Sequence, residues 1–78
     1  MMHVVSVLAE NKHGVLLRVA GVLCARGINI ESLAACPTTT PGVSRITMAF
    51  QAQDGEMDNI IRRIDRLVNV IQTEEVRR

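Results

Sequence analysis

With 78 residues, 47% of them hydrophobic, the chain has enough apolar content for one domain with a thin core and too much for a disordered tail. Nine Lys and Arg against eight Asp and Glu leave a formal charge of +1, which gives no long-range attraction to nucleic acid or to an acidic membrane surface. Phe50 is the only Phe, Tyr or Trp, so base stacking and aromatic cages are excluded and the interior must be built from Val, Ile, Leu, Met and Ala.

Burial at roughly 25 cal/mol per Å² against about 1.5 kcal/mol of ordering entropy per residue nearly cancels in so short a chain. Oligomerisation is therefore expected to add burial. One domain is expected over residues 1–78, with its core over 3–76. Cys24 and Cys36 have neither CxxC spacing nor His partners at ligand spacing, so no metal site is expected and both thiols are expected to be buried. The N-terminus runs straight into a strand pattern without a basic-then-apolar leader. No apolar run approaches the roughly 18 residues of a membrane span, and the cytoplasm is the expected compartment.

The segment His3 to Ala9, β-branched and mostly apolar, predicts a strand buried on at least one face. A polar loop follows, Glu10-Asn11-Lys12-His13-Gly14. Val15, Leu16, Val19, Val22 and Leu23 then recur at helical spacing, and Arg26-Gly27 supplies a last-turn cation and a terminating glycine. Set between a strand and a helix start, the loop presents backbone N–H groups and the positive end of a helix dipole, a place to hold an anionic group such as a carboxylate.

From Ile28 to Cys36 the pattern is extended again, and Pro37 to Gly42 is a Thr-rich turn. Between Ser44 and Gln51, Ile46, Met48 and Phe50 alternate with Arg45, Thr47 and Ala49, the clearest strand signal in the chain. Asp54-Gly55-Glu56 opens a second helix with Asp54 as expected N-cap and Met57, Ile60, Ile61, Ile64 and Leu67 as its apolar stripe. Asn69 to Val76 reads as a weaker last strand, and Arg77-Arg78 as a solvated end.

The order β-α-β-β-α-β with right-handed crossovers predicts an α+β, ferredoxin-like sandwich: a four-stranded antiparallel sheet with both helices on one face. The second and fourth strands then lie at the edges. The second is uncharged except for Glu31, an edge poorly defended against pairing, so two copies are expected to join there. No nucleophile, base and orienting group can be assembled, and no catalytic residue is expected.

The combination ENxxG (Glu10 to Gly14), RGxNIESL (Arg26 to Leu33) and PTxxPGxSR (Pro37 to Arg45), with Ile64-Asp65-Arg66-Leu67-Val68-Asn69-Val70 further on, resembles the N-terminal ACT domain of the small regulatory subunit of acetolactate synthase, also called acetohydroxyacid synthase. The resemblance implies a non-catalytic chain that binds no cofactor itself and attaches to a large, thiamine-diphosphate-dependent catalytic subunit. It also implies that valine, a branched-chain amino acid, binds between two ACT domains and inhibits that enzyme. Carried over residue by residue, the family's loop asparagine and glycine fall on Asn11 and Gly14 and its strand asparagine on Asn29, and His13, Val15, Leu16 and Ile30 join them as candidate ligand contacts. N–H groups from Gly14 to Leu16 would receive the carboxylate, the asparagine amides would accept from the ammonium, and Val15 and Leu16 would line the side-chain pocket.

The residues alone leave other readings open: Asn11 as a helix cap, Gly14 as permissive backbone, Asn29 as a residue with a local backbone bond. A stand-alone ACT sensor of another amino acid, and a docking module without ligand, are the alternatives in function. Many family members continue into a second domain, so a short-form subunit or a fragment is expected here. Leu17 replaces a commonly small or polar residue, and Thr39-Thr40 an acidic or polar pair. If Gly14 has ordinary helical angles, Gly14→Asp is expected to block the carboxylate and leave the fold intact.

Overall fold

In the computed structural model, which describes residues 1–76, six elements follow one another. They are β1 (Met2–Glu10), α1 (Val15–Ala25), β2 (Ile30–Pro37), β3 (Val43–Gln51), α2 (Asp54–Asp65) and β4 (Val70–Glu75). The sheet order is β2-β3-β1-β4, every neighbouring pair antiparallel, which puts β2 and β4 at the edges. Arg77 and Arg78, read as a solvated end, lie outside the described residues.

The register explains the single core. Val5 pairs with Met48 and Val7 with Ile46, so these side chains share one face of the sheet. On that face they meet Val15, Val19 and Leu23 of α1 and Met57, Ile60 and Ile64 of α2, all buried. Both helices therefore cover the same side, and the ferredoxin-like sandwich is the fold.

Local chemistry sets the helix ends. Helix α1 stops in a Schellman arrangement: Gly27, at φ 74°, donates to the Cys24 carbonyl at 3.0 Å and Ile28 to the Leu23 carbonyl at 3.1 Å. The cap of α2 is Gln53 rather than Asp54. Its backbone is extended and its N–H donates to Glu56 Oε1 at 3.2 Å, so the acidic reach-back arm of a capping box, three residues on, decides the position. Acids in the first turn and Arg62 and Arg63 in the last turn complement the dipole of α2.

Strand β2 departs from the expected alternation. Ile30 pairs with Phe50 but Ser32 with Ala49, so Glu31 is an extra residue and the strand carries a bulge there. Beyond it, Leu33 and Ala35 fall on the helix side, opposite Met48 and Ile46, yet remain exposed at this edge of the sheet. The expectation of buried thiols fails for a related reason. Cys36 lies on the uncovered edge strand and Cys24 on the outer face of α1, and both are exposed.

Candidate functional site: the loop between β1 and α1

Backbone bonds on three sides fix the loop after β1. Glu10 N–H donates to the Asn69 carbonyl and Asn11 N–H to the Gly42 carbonyl, each at 2.8 Å, which ties it to the α2–β4 and β2–β3 turns. The second of these turns is itself braced by Thr38, whose hydroxyl donates to the Val43 carbonyl at 2.9 Å. Lys12 N–H closes a tight turn onto Glu10 at 2.8 Å.

Gly14 is the cap of α1, at φ 82° and ψ −5°, a left-handed conformation, and no side chain caps the helix. Asn11 is therefore not the cap. The expectation that Gly14→Asp spares the fold rested on ordinary helical angles, and these do not hold. A Cβ at Gly14 would also stand 3.3 Å from Arg18 Nη1.

The N–H groups at the helix start divide into two sets. Val15 N–H donates to the Lys12 carbonyl at 3.3 Å, while no acceptor among the described residues reaches Gly14 N–H or Leu16 N–H. Those two groups, with the dipole behind them, can take a carboxylate. Val15's side chain is buried in the core, so it does not line a surface pocket; Leu16 is partly exposed and can. Asn11 and His13 present exposed side chains at the same end.

Asn29 and Ile30 are elsewhere. Ile30 pairs with Phe50, and Phe50 with His3, whereas Asn11 follows Glu10, which pairs with Val43. From His3 to Glu10 is seven strand steps, about 23 Å at the usual rise, so one chain holds the two groups of residues at opposite ends of its sheet. Asn29 is exposed, and Ile30 is half-buried and packs on the core.

Sequence reasoning missed Arg18 and Asn69. Asn69 adopts φ 76°, its Nδ2 donates to Glu10 Oε1 at 2.8 Å, and its Oδ1 accepts from Arg18 Nη2 at 3.2 Å. Together with His13, Arg66, Leu67 and Val68 they line a shallow depression beside the loop. The available signal was an asparagine in the turn between α2 and β4, since Asn tolerates left-handed backbone. Among the described residues no group of three or more His, Cys, Asp and Glu is placed to hold a metal, and no helix is long and apolar enough to cross a membrane.

Comparison with known proteins covers nearly the whole chain. The model of the AHAS small subunit-like ACT domain matches residues 5–72. The chain is 40% identical over 76 residues to a probable acetolactate synthase small subunit of Archaeoglobus fulgidus, covering 97% of this chain and 48% of that protein. It is 44% identical over 73 residues to the acetolactate synthase small subunit of Mycobacterium bovis, covering 94% and 44%. The crystal structure of the small subunit from Thermotoga maritima superposes with a TM-score of 0.88 at 32% identity, covering 99% of this chain and 48% of that one. The chain thus spans about half the length of these relatives. From the matched residues and the shared fold, the chain belongs to the family of AHAS small subunit-like ACT domains.

Proposed function

We propose that this chain is a regulatory, non-catalytic domain that binds a branched-chain amino acid, valine, between two of its copies and so transmits feedback inhibition to a separate acetolactate synthase catalytic subunit in the cytoplasm. Family membership supports the partner and the pathway. The observation that carries the binding mode is the separation of the assigned residues to opposite ends of one sheet, coupled with a bare β2 edge.

Antiparallel pairing of β2 with β2 of a second copy sets Ile30 of one chain near Pro37 of the other. Pro37 pairs with Ser44, at the end of the sheet where Asn11 and Gly14 lie. Asn29 of one copy is thereby carried toward the loop of its mate, and each dimer has two such composite sites. In each, the ligand carboxylate takes the N–H groups of Gly14 and Leu16, and the ammonium donates to the amide oxygens of Asn11 and the mate's Asn29. The isopropyl group packs on Leu16. A ligand that bridges two chains favours the paired state by its differential affinity, which is how binding here would reach a catalytic subunit docked elsewhere.

Titration calorimetry with valine tests the reading. Hydrogen bonds to charged groups are worth about 1.5 to 3 kcal/mol, so Asn11→Ala is expected to weaken valine binding about tenfold or more. At about 0.8 kcal/mol per buried methylene, the site should prefer valine to alanine by roughly tenfold. Unchanged affinity in Asn11→Ala, or strong preference for a polar amino acid, would contradict the proposal.

A further inference from the structure

The start of α1 carries more positive potential than its own residues offset. No acidic side chain lies in the first turn and no side chain caps the helix, so the positive end of the dipole is uncompensated. Arg18 adds to it. A long helical side chain leans toward the helix N-terminus, and this guanidinium reaches back over the first turn until Nη1 is 3.3 Å from the point that a Gly14 Cβ would occupy. Because residue 14 is a glycine, no side chain separates the guanidinium from the helix start. A cation here is disfavoured by the same dipole that favours an anion.

The guanidinium is held in that place by a neighbour from another turn. Asn69, left-handed at φ 76°, accepts from Arg18 Nη2 through Oδ1 at 3.2 Å and donates through Nδ2 to Glu10 Oε1 at 2.8 Å. The Asn69 carbonyl accepts from Glu10 N–H, also at 2.8 Å, which anchors the amide to the end of β1. A neutral amide thus stands between the guanidinium and the Glu10 carboxylate, and Arg18 forms no ion pair among the described residues. The N–H donors that Asn69 leaves unused lie on the Gly14 side, in a fork that matches the two oxygens of a carboxylate.

We propose that Arg18 is the charged contact for the ligand's α-carboxylate, acting with the N–H groups of Gly14 and Leu16, and that Asn69 and Glu10 are positioning residues that aim it. The inference rests on the amino-acid site assigned to this loop and adds a specificity to it: the site selects a free amino acid over the corresponding amide or amine. It also ties the bound ligand to the turn between α2 and β4, through Arg18 and Asn69.

Calorimetric titration of the chain with valine and with valinamide, which keeps the ammonium and isopropyl groups and lacks the carboxylate, tests this. Arg18 is exposed, so Arg18→Gln should fold with an unchanged thermal midpoint. It should weaken valine binding by about tenfold or more, the scale of one hydrogen bond between charged groups, and leave valinamide binding as it was. Asn69→Gly keeps a residue that accepts positive φ and removes the amide alone; it should weaken valine several-fold, and add no further loss when combined with Arg18→Gln, since it acts through the arginine. Additive losses in the double variant would remove Asn69 from its positioning role. Unchanged valine affinity in Arg18→Gln, or an equal loss for valine and valinamide, would overturn the role of Arg18 while leaving the amino-acid site at the loop. Absence of valine binding to the unaltered chain would overturn both.

Discussion

Gly14 shows how one residue decides between two accounts of the loop. A glycine ahead of an apolar helical stripe reads equally as the first helical residue or as the cap, because its lack of Cβ suits both; the sign of φ is a property of the folded loop. At φ 82° with Arg18 Nη1 close to the missing Cβ, every L side chain meets backbone strain here. Gly14→Ala is expected to cost about 1 to 2 kcal/mol, lowering the thermal midpoint by roughly 4 to 16 °C in a domain this size. Gly14→Asn should lose less, since Asn tolerates left-handed backbone. Melting both variants without ligand checks this, and a Gly14→Ala midpoint equal to that of the unaltered chain would contradict it. Asn11 and His13 were legible as loop residues from the polar run alone, and Val15 as apolar. That Val15 turns inward while Leu16 turns outward depends on where the helix starts.

At the scale of elements, hydrophobic periodicity carried most of the information. The alternation of Ile46, Met48 and Phe50 fixed β3, and the stripe of Met57, Ile60 and Ile64 fixed α2, because these patterns are the burial patterns themselves. Strand β2 was less legible. Ile30-Glu31-Ser32-Leu33 breaks the period of two, and only the pairing with β3 shows that Glu31 is a bulge. The apolar residues of α1 likewise outnumber what packs: Leu17 is 77% exposed, and Cys24 two turns on is exposed as well, so composition alone overstated burial. An edge with this character invites pairing, and charge is the simplest way to prevent it. Ala34 is exposed near the middle of β2, so Ala34→Lys should leave the monomer folded while setting like charges close together across a two-fold contact. Sedimentation at micromolar concentration is expected to show the variant as a monomer and the unaltered chain as a dimer. A variant that remains dimeric would place the contact on another surface.

For the whole molecule, the net charge of +1 does not show which charged groups the topology brings together. Lys12, Arg18 and Arg66 share the loop end with Glu10, while Asp54, Glu56, Asp58 and Glu75 share the opposite end with His3, with Arg26 at 4.0 Å from Glu56 and with the N-terminal ammonium. Composition could argue against nucleic acid as a partner but could not show which charged groups meet at either end of the sheet. The fold itself was legible because six elements of clear period admit few arrangements. The candidate site was legible only as a set of residues, since the register that puts Asn29 and Asn11 at opposite ends of the sheet is absent from any local pattern.

The central claim is that each amino-acid site is shared by two chains, and subunit mixing tests it most directly. Asn11→Ala and Asn29→Ala chains, each impaired alone, are mixed, allowed to exchange, and titrated with valine. If the site is composite, each mixed dimer has one intact site and one doubly altered site, so random exchange should restore full-affinity binding to about a quarter of all sites. If the mixture binds no more valine at full affinity than the two variants measured separately, the site lies within a single chain and the account is wrong.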